Sequence, residues 1–152
     1  MASTVIDSKV FGCLYSTDKM REIFSDKNLV QKWIDTEVSL AKAQAKLGII
    51  PQDMAEEIAK KGNADLLDIA AIGEHYKSSI TIVPLLKEYK KVLDNNAGEF
   101  VHYGATSQDI VDNGMILQIK EAYSEIYKQV EEIEELAAGI SEKHKNLVMA
   151  GR

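Results

Sequence analysis

The residues best suited to chemistry lie at positions 102–110, where a loop leads into a long helical pattern. The adjacent hydroxyls of Thr106 and Ser107, a nearby glycine and the N–H groups at the positive end of a helix suit a carboxylate or a phosphate. His102 could supply a hydrogen bond or a positive charge to the same anion. Helix capping is the alternative interpretation, because the segment from Thr106 to Asp109 fits a capping box with aspartate in the place that glutamate or glutamine usually holds. The two interpretations are compatible, since Thr106 can cap the helix while Ser107 faces a ligand.

Other classes of site lack their residue patterns. The three histidines are far apart in the sequence, none has a partner at the spacing of a zinc-binding helix, and the chain has a single cysteine. We therefore predict no metal site. The sequence has no Gly-x-Ser-x-Gly motif, no phosphate-binding P-loop and no glycine-rich dinucleotide motif, so we predict neither a serine nucleophile of that type nor a cofactor.

Composition and charge describe a folded, soluble protein. The 152 residues are 45% hydrophobic and 28% charged, with two prolines and one cysteine, which favours a packed domain over disorder. The net charge of −6, and the lack of a basic cluster interleaved with aromatic residues, disfavour a nucleic-acid partner. No apolar run approaches the roughly 20 residues of a membrane span, and residues 1–10 lack the pattern of a secretory signal. We therefore expect no membrane partner and a cytoplasmic location.

Helical periodicity dominates the sequence and predicts an all-α fold. Ser25 is expected to cap a helix that runs over about 26–47. A second helix is predicted to follow Pro51, a short third helix to start after a cap at Asn63, and a fourth to start near Thr81. These elements form the predicted N-terminal helical domain.

One carboxylate falls inside an apolar helix face. Glu37 lies among apolar residues on the predicted helix that carries Trp33. It is either a buried, paired carboxylate or a residue at the helix edge whose side chain reaches solvent.

The longest pattern runs over about 107–146 and contains no proline. Apolar residues recur along it with the a/d spacing of a helix that packs against other helices; this seam consists of Ile119, Tyr123, Ile126, Val130, Ile133, Ala137 and Ile140. The preceding helices are too short to cover it, so we expect another chain, or a further part of the protein, to do so. We predict a boundary between an N-terminal helical domain (1–105) and the start of a helical bundle (106–152).

Residues 102–112, His-Tyr-Gly-Ala-Thr-Ser-Gln-Asp-Ile-Val-Asp, resemble the first signature region of the fumarase/aspartase (fumarate lyase) superfamily. Within it, the match is most similar to the 3-carboxy-cis,cis-muconate cycloisomerase and adenylosuccinate lyase branches. Residues 16–26 and 33–51 also resemble the opening helices of the family, so the resemblance covers most of the chain. The signature is specific for the superfamily and much less specific for the substrate.

The resemblance implies an all-α homotetramer whose central domains form a long helical bundle. It also implies a lyase that removes a proton next to a carboxylate and eliminates a group from the neighbouring carbon, usually releasing fumarate. By resemblance, Thr106 and Ser107 would bind the carboxylate or phosphate end of the substrate, where preorganised donors stabilise the developing negative charge. His102 and Gln108 would support them, and Tyr15, by its place in the opening motif, would hold the distal anion.

Two departures from the family bear on function. Residues 78–85 lack a histidine expected of adenylosuccinate lyases, and their Val-Pro-Leu pattern is more similar to the cycloisomerases. The general acid of the family follows a segment like 149–152, and its general base lies in a later serine loop, so both would lie beyond Arg152. We therefore assign no catalytic residue and expect the N-terminal part of a lyase that is inactive as this chain alone. The alternative is a non-catalytic helical oligomerisation module or a pseudoenzyme.

Overall fold

The protein is all-α, as predicted, throughout residues 4–76, 82–148 and 150–151, which the computed structural model describes. Seven α-helices follow one another along this part of the chain: α1 (Gly12–Tyr15), α2 (Asp18–Ile23), α3 (Asp26–Lys46), α4 (Gln52–Lys60), α5 (Ile69–His75), α6 (Val83–Val92) and α7 (Ser107–His144). Short 3₁₀ turns lie at Ala64–Leu66 and Ala97–Phe100.

Local capping explains where several of these helices begin. The side chains of Thr17 and Ser25 accept hydrogen bonds from the first turns of α2 and α3, which satisfies N–H groups that have no partner inside the helix. The prediction of one helix after Asn63 is wrong. Asn63 caps only the 3₁₀ turn, after which Leu67 is extended and Asp68 caps the separate helix α5.

The fourth predicted helix is present as α6. Its predicted start near Thr81 lies outside the described residues, and the described helix begins at Val83 with Pro84 in its first turn. Proline is tolerated there because the first turn of a helix does not use its N–H groups for internal hydrogen bonds.

The core of this part of the chain lies between α3, α4 and α6. Ile34, Ile58, Leu85 and Tyr89, one or two from each of these helices, have no solvent-exposed surface. The hydroxyl of Tyr89 donates a hydrogen bond of 2.5 Å to the backbone carbonyl of Ile58. A buried phenol therefore has a partner, as burial of a polar group requires, and the bond ties α6 to α4.

Contacts divide the chain into two compact units, one up to Ile119 and the other from Lys120 onward. In the second unit, the large apolar side chains of the predicted seam are 51–64% exposed; they are Tyr123, Ile126, Val130, Ile133 and Ile140. The long helix is confirmed, with bounds of Ser107 and His144. The domain boundary near residue 106 stays a prediction. No helix in the described residues is both long enough and apolar enough to cross a membrane.

Candidate functional site

The loop before α7 has an unusual backbone conformation. His102 has a φ of +64° and Gly104 a φ of +69°, and the N–H of Ala105 donates to the carbonyl of His102 at 3.4 Å. Glycine adopts the left-handed region without strain, whereas a histidine there is uncommon. The surrounding structure must therefore stabilise the loop at His102.

Glu37 provides that stabilisation from the middle of α3. One carboxylate oxygen, Oε1, lies 2.7 Å from Nδ1 of His102, and the other, Oε2, accepts the backbone N–H of His102 at 3.0 Å. The Glu37 side chain has no exposed surface, while that of His102 is 15% exposed. Burial raises the pKa of Glu37, and the contacts with His102 oppose that rise. The structure thus identifies Glu37 as a buried, paired carboxylate rather than a residue at the helix edge.

Two further residues on the same face of α3 fix the rest of the loop and the start of α7. The amide of Gln44, two helical turns beyond Glu37, donates to the carbonyl of Tyr103 at 2.6 Å. Trp33, one turn before Glu37, packs so tightly on Gly114 that a Cβ there would lie 2.4 Å from the indole Cδ1. One face of α3 therefore positions the chain from residue 102 to residue 114.

The N-terminus of α7 carries half of the predicted capping box. The N–H of Thr106 donates to Oδ2 of Asp109 at 3.1 Å, and the N–H of Asp109 donates to the carbonyl of Thr106 at 3.1 Å. Within the described residues, the backbone N–H groups of Ser107 and Gln108 have no bonding partner. Since these N–H groups lie at the positive end of a 38-residue helix, the arrangement suits an anion.

The structure brings four of the five predicted binding residues together. His102, Thr106, Ser107 and Gln108 lie in one loop and the helical turn that follows it, and the amide of Gln108 donates to Asp112 at 2.6 Å. Tyr15 ends α1 and is 62% exposed, and no hydrogen bond or ring contact within the described residues joins it to the loop. Substrate binding by any of the five residues stays a prediction.

The sequence contained a signal for the role of α3 in this site. A carboxylate inside an apolar helix face, followed seven residues later by a glutamine, places two polar side chains on one buried stripe. Such groups require partners, but the pattern does not say that the partners are His102 and Tyr103. In the described ranges 4–76, 82–148 and 150–151, no three His, Cys, Asp or Glu side chains cluster so that they could hold a metal ion.

Comparison with protein families and curated proteins gives a consistent result. Residues 14–152 match the model of a family described as lyase. The chain is 37% identical to N-acetyl-S-(2-succino)cysteine lyase of Enterococcus italicus, over all of this chain and 33% of that protein. It is also 37% identical to adenylosuccinate lyase of Methanocaldococcus jannaschii, over 91% of this chain and 30% of that protein.

Solved structures resemble the same region. The crystal structure of β-carboxy-cis,cis-muconate cycloisomerase from Acinetobacter calcoaceticus is 33% identical, with a TM-score of 0.86 over 95% of this chain and 35% of that one. A fumarate lyase from Mesorhizobium is 34% identical, with a TM-score of 0.82 over 90% of this chain and 32% of that one. The chain therefore spans about a third of the length of the proteins that it matches.

Proposed function

The chain belongs to the lyase family, within the fumarate lyase superfamily, and on that premise we propose that it is the N-terminal part of a lyase acting on a succinyl-type carboxylate substrate. The reaction is a β-elimination or the reverse addition. The full protein is a cytoplasmic homotetramer in this proposal, and this chain contributes part of the substrate-binding surface.

The loop at 102–106 and the first turn of α7 carry the proposal. The N–H groups of Ser107 and Gln108, which no described residue bonds, lie beside the hydroxyls of Thr106 and Ser107 at the partly exposed start of a helix. A carboxylate bound there gains negative charge when the neighbouring C–H bond loses its proton, because the charge moves onto the carboxylate oxygens. Fixed donors stabilise that charge without reorganising during the reaction.

The names of the relatives favour a succinyl group without deciding the rest of the substrate. N-acetyl-S-(2-succino)cysteine and adenylosuccinate both contain one, attached through sulfur in the first and nitrogen in the second. Another relative, from Acinetobacter baylyi, is a 3-carboxy-cis,cis-muconate cycloisomerase. All three compounds present a carboxylate next to the reacting carbon.

Substitution of Ser107 tests the proposal. The full gene product is assayed for fumarate release from the two succinyl compounds and for lactonisation of 3-carboxymuconate. We expect Ser107→Ala to lower kcat/KM by about 100-fold to 1,000-fold, the usual effect of removing one preorganised donor. Ser124→Ala is the matched control, because Ser124 is exposed on α7 and its hydroxyl donates to the carbonyl of Lys120 in the same helix. The 152-residue chain alone is expected to give no turnover, since the acid and base lie beyond Arg152 by resemblance.

Three outcomes contradict parts of the proposal. A full gene product that is inactive on all three compounds shows that none of them is its substrate and removes the support that the relatives' names give to a succinyl group. Wild-type activity in Ser107→Ala removes the assigned binding role, and turnover by the 152-residue chain shows that the acid and base lie within it.

A non-catalytic oligomerisation module is the second candidate, and it requires only the exposed seam on α7. An exposed apolar stripe of this length is an association surface in either function. A full gene product that assembles and binds no dicarboxylate supports the module over the enzyme.

A further inference from the structure

We propose that Glu37 is a positioning residue for substrate binding, which acts through His102 and does not touch the substrate. The proposal rests on the function proposed above, because it assumes that the loop at 102–106 binds a carboxylate. It goes beyond that function by assigning a role to a residue of α3 that lies 65 positions away in the sequence.

Glu37 forms two hydrogen bonds with His102. Its two oxygens bond the imidazole Nδ1 and the backbone N–H of the same residue, so the carboxylate fixes both the ring and the main chain. His102 is also the non-glycine residue of the loop with a left-handed backbone, a conformation that needs support from its surroundings. A pair of hydrogen bonds to a buried carboxylate provides that support.

The same contact determines which ring nitrogen is available to a ligand. Nδ1 points at Glu37, so Nε2 is the ring nitrogen that remains, and no residue in the described part of the chain bonds it. A carboxylate that accepts from one nitrogen of an imidazole fixes the tautomer and the orientation of the ring. An Nε2 that carries a proton can donate to an anion.

Burial excludes a direct contact between Glu37 and the substrate. The Glu37 side chain has no exposed surface, whereas His102 remains 15% exposed. We therefore expect any effect of Glu37 on a ligand to pass through His102 and the loop. Such an effect differs from a purely structural one, because it changes ligand affinity as well as stability.

The experiment compares Glu37→Gln with Glu88→Gln in the full gene product, with fumarate as the probe. Glutamine keeps the shape of glutamate but presents an NH₂ group to one of the two His102 donors. Glu88 is a control of the same chemistry, since it is 5% exposed, lies on α6 and pairs with Lys91. We expect Glu37→Gln to weaken fumarate binding roughly tenfold, as loss of a residue that orients a ligand-binding histidine does. Glu88→Gln is expected to bind fumarate like the wild type.

A double-mutant cycle shows whether the effect passes through His102. His102→Asn removes the imidazole and suits the left-handed backbone, because asparagine tolerates that region. We expect Glu37→Gln to add little to the loss of fumarate affinity in His102→Asn, since residues that act as a unit are not additive. Additive losses would show that Glu37 acts by another route and overturn the proposal.

Hydrogen exchange of the peptide over residues 100–110 separates failure of this proposal from failure of the proposed function. We expect faster exchange in Glu37→Gln and wild-type exchange in Glu88→Gln. Unchanged exchange in Glu37→Gln overturns the positioning role whatever fumarate does. If exchange is faster in Glu37→Gln but the wild-type protein binds no fumarate, Glu37 still positions the loop. The proposed function, on which the substrate role rests, is then wrong.

Discussion

Two buried side chains, one of which holds the candidate site, bond partners that are far away in the sequence. Glu37 bonds His102, and Tyr89 bonds the carbonyl of Ile58. Each is a polar group in a nearly dry environment, where a hydrogen bond has a large effect and a missing one is costly. The two are also coupled, because the negative charge of Glu37 contributes, after burial, to a raised pKa of Tyr89.

Tyr89→Phe tests the raised pKa of Tyr89 through stability. We expect the substitution to lower the free energy of unfolding by about 1 kcal/mol at neutral pH, because the hydrogen bond to Ile58 is lost. The pKa of Tyr89 is raised above its ordinary value of 10.0, so the folded state binds the phenolic proton more tightly than the unfolded state. The stabilisation by this proton is complete below pH 10.0 and is lost as pH rises further.

Denaturant unfolding of wild type and Tyr89→Phe at increasing pH measures the effect. We expect the difference in free energy of unfolding to be constant below pH 10.0 and to shift against the wild type above it. Comparison with the phenylalanine variant cancels the titration of lysines, which both proteins share. A difference that does not change above that pH would mean that Tyr89 ionises in the folded protein as it does in the unfolded one.

Helix α3 shows how much of the fold the sequence could predict. Its start at a Ser25 cap and its apolar face are local patterns, and both are confirmed. The break between the 3₁₀ turn and α5 was missed because Asp68 forms a second cap, which competes with continuing the helix from Asn63. Local propensity does not decide between two nearby caps.

The site was only partly predictable for a different physical reason. His102, Thr106, Ser107 and Gln108 lie close together in sequence, so their proximity followed from the pattern alone. The contact of His102 with Glu37 depends on tertiary packing and on a positive φ at a histidine, and neither has a local sequence signal. Tyr15 was included by resemblance, and the described contacts do not link it to the loop.

Packing of α3 against α7 can be tested with two glycines of the same helix. A Cβ on Gly114 would lie 2.4 Å from Cδ1 and 2.8 Å from Nε1 of Trp33, whereas a Cβ on Gly139 meets nothing within 4 Å. We expect Gly114→Ala to destabilise the protein by about 1–3 kcal/mol, because overpacking against a rigid indole outweighs the gain in helix propensity. Gly139→Ala is expected to stabilise by up to about 1 kcal/mol.

Thermal unfolding of the two variants gives the comparison directly. Both replace glycine with alanine inside α7, so the change in helix propensity is shared and the sign of the difference reports on contact with Trp33. Equal stabilisation by the two substitutions would show that α7 does not pack on Trp33 as closely as the structure has it.

For the molecule as a whole, the exposed seam is the surface at which we expect association. Its apolar residues repeat at 3.5-residue intervals on average and remain mostly exposed, which is the pattern of helices that associate. The acidic residues of α7, such as Glu131 and Glu135, lie beside the seam and not within it. The seam is therefore free to pack against apolar residues of other helices without burying these charges.

Charge placed on the seam is expected to abolish association. The double variant Ile126→Asp and Ile133→Asp puts two carboxylates where apolar side chains, now 51% and 64% exposed, would be buried between helices. Burial of unpaired charges is strongly unfavourable, so the full gene product should change from an oligomer to smaller species in analytical ultracentrifugation. The double variant Ser124→Asp and Ala138→Asp is the matched control, because it adds the same charge to the same helix at exposed positions off the seam.

Since the proposed active enzyme is an oligomer, the seam variant should also lose turnover while the control keeps it. A wild type that is already monomeric, or a seam variant that still assembles, would show that this face of α7 does not hold the subunits together.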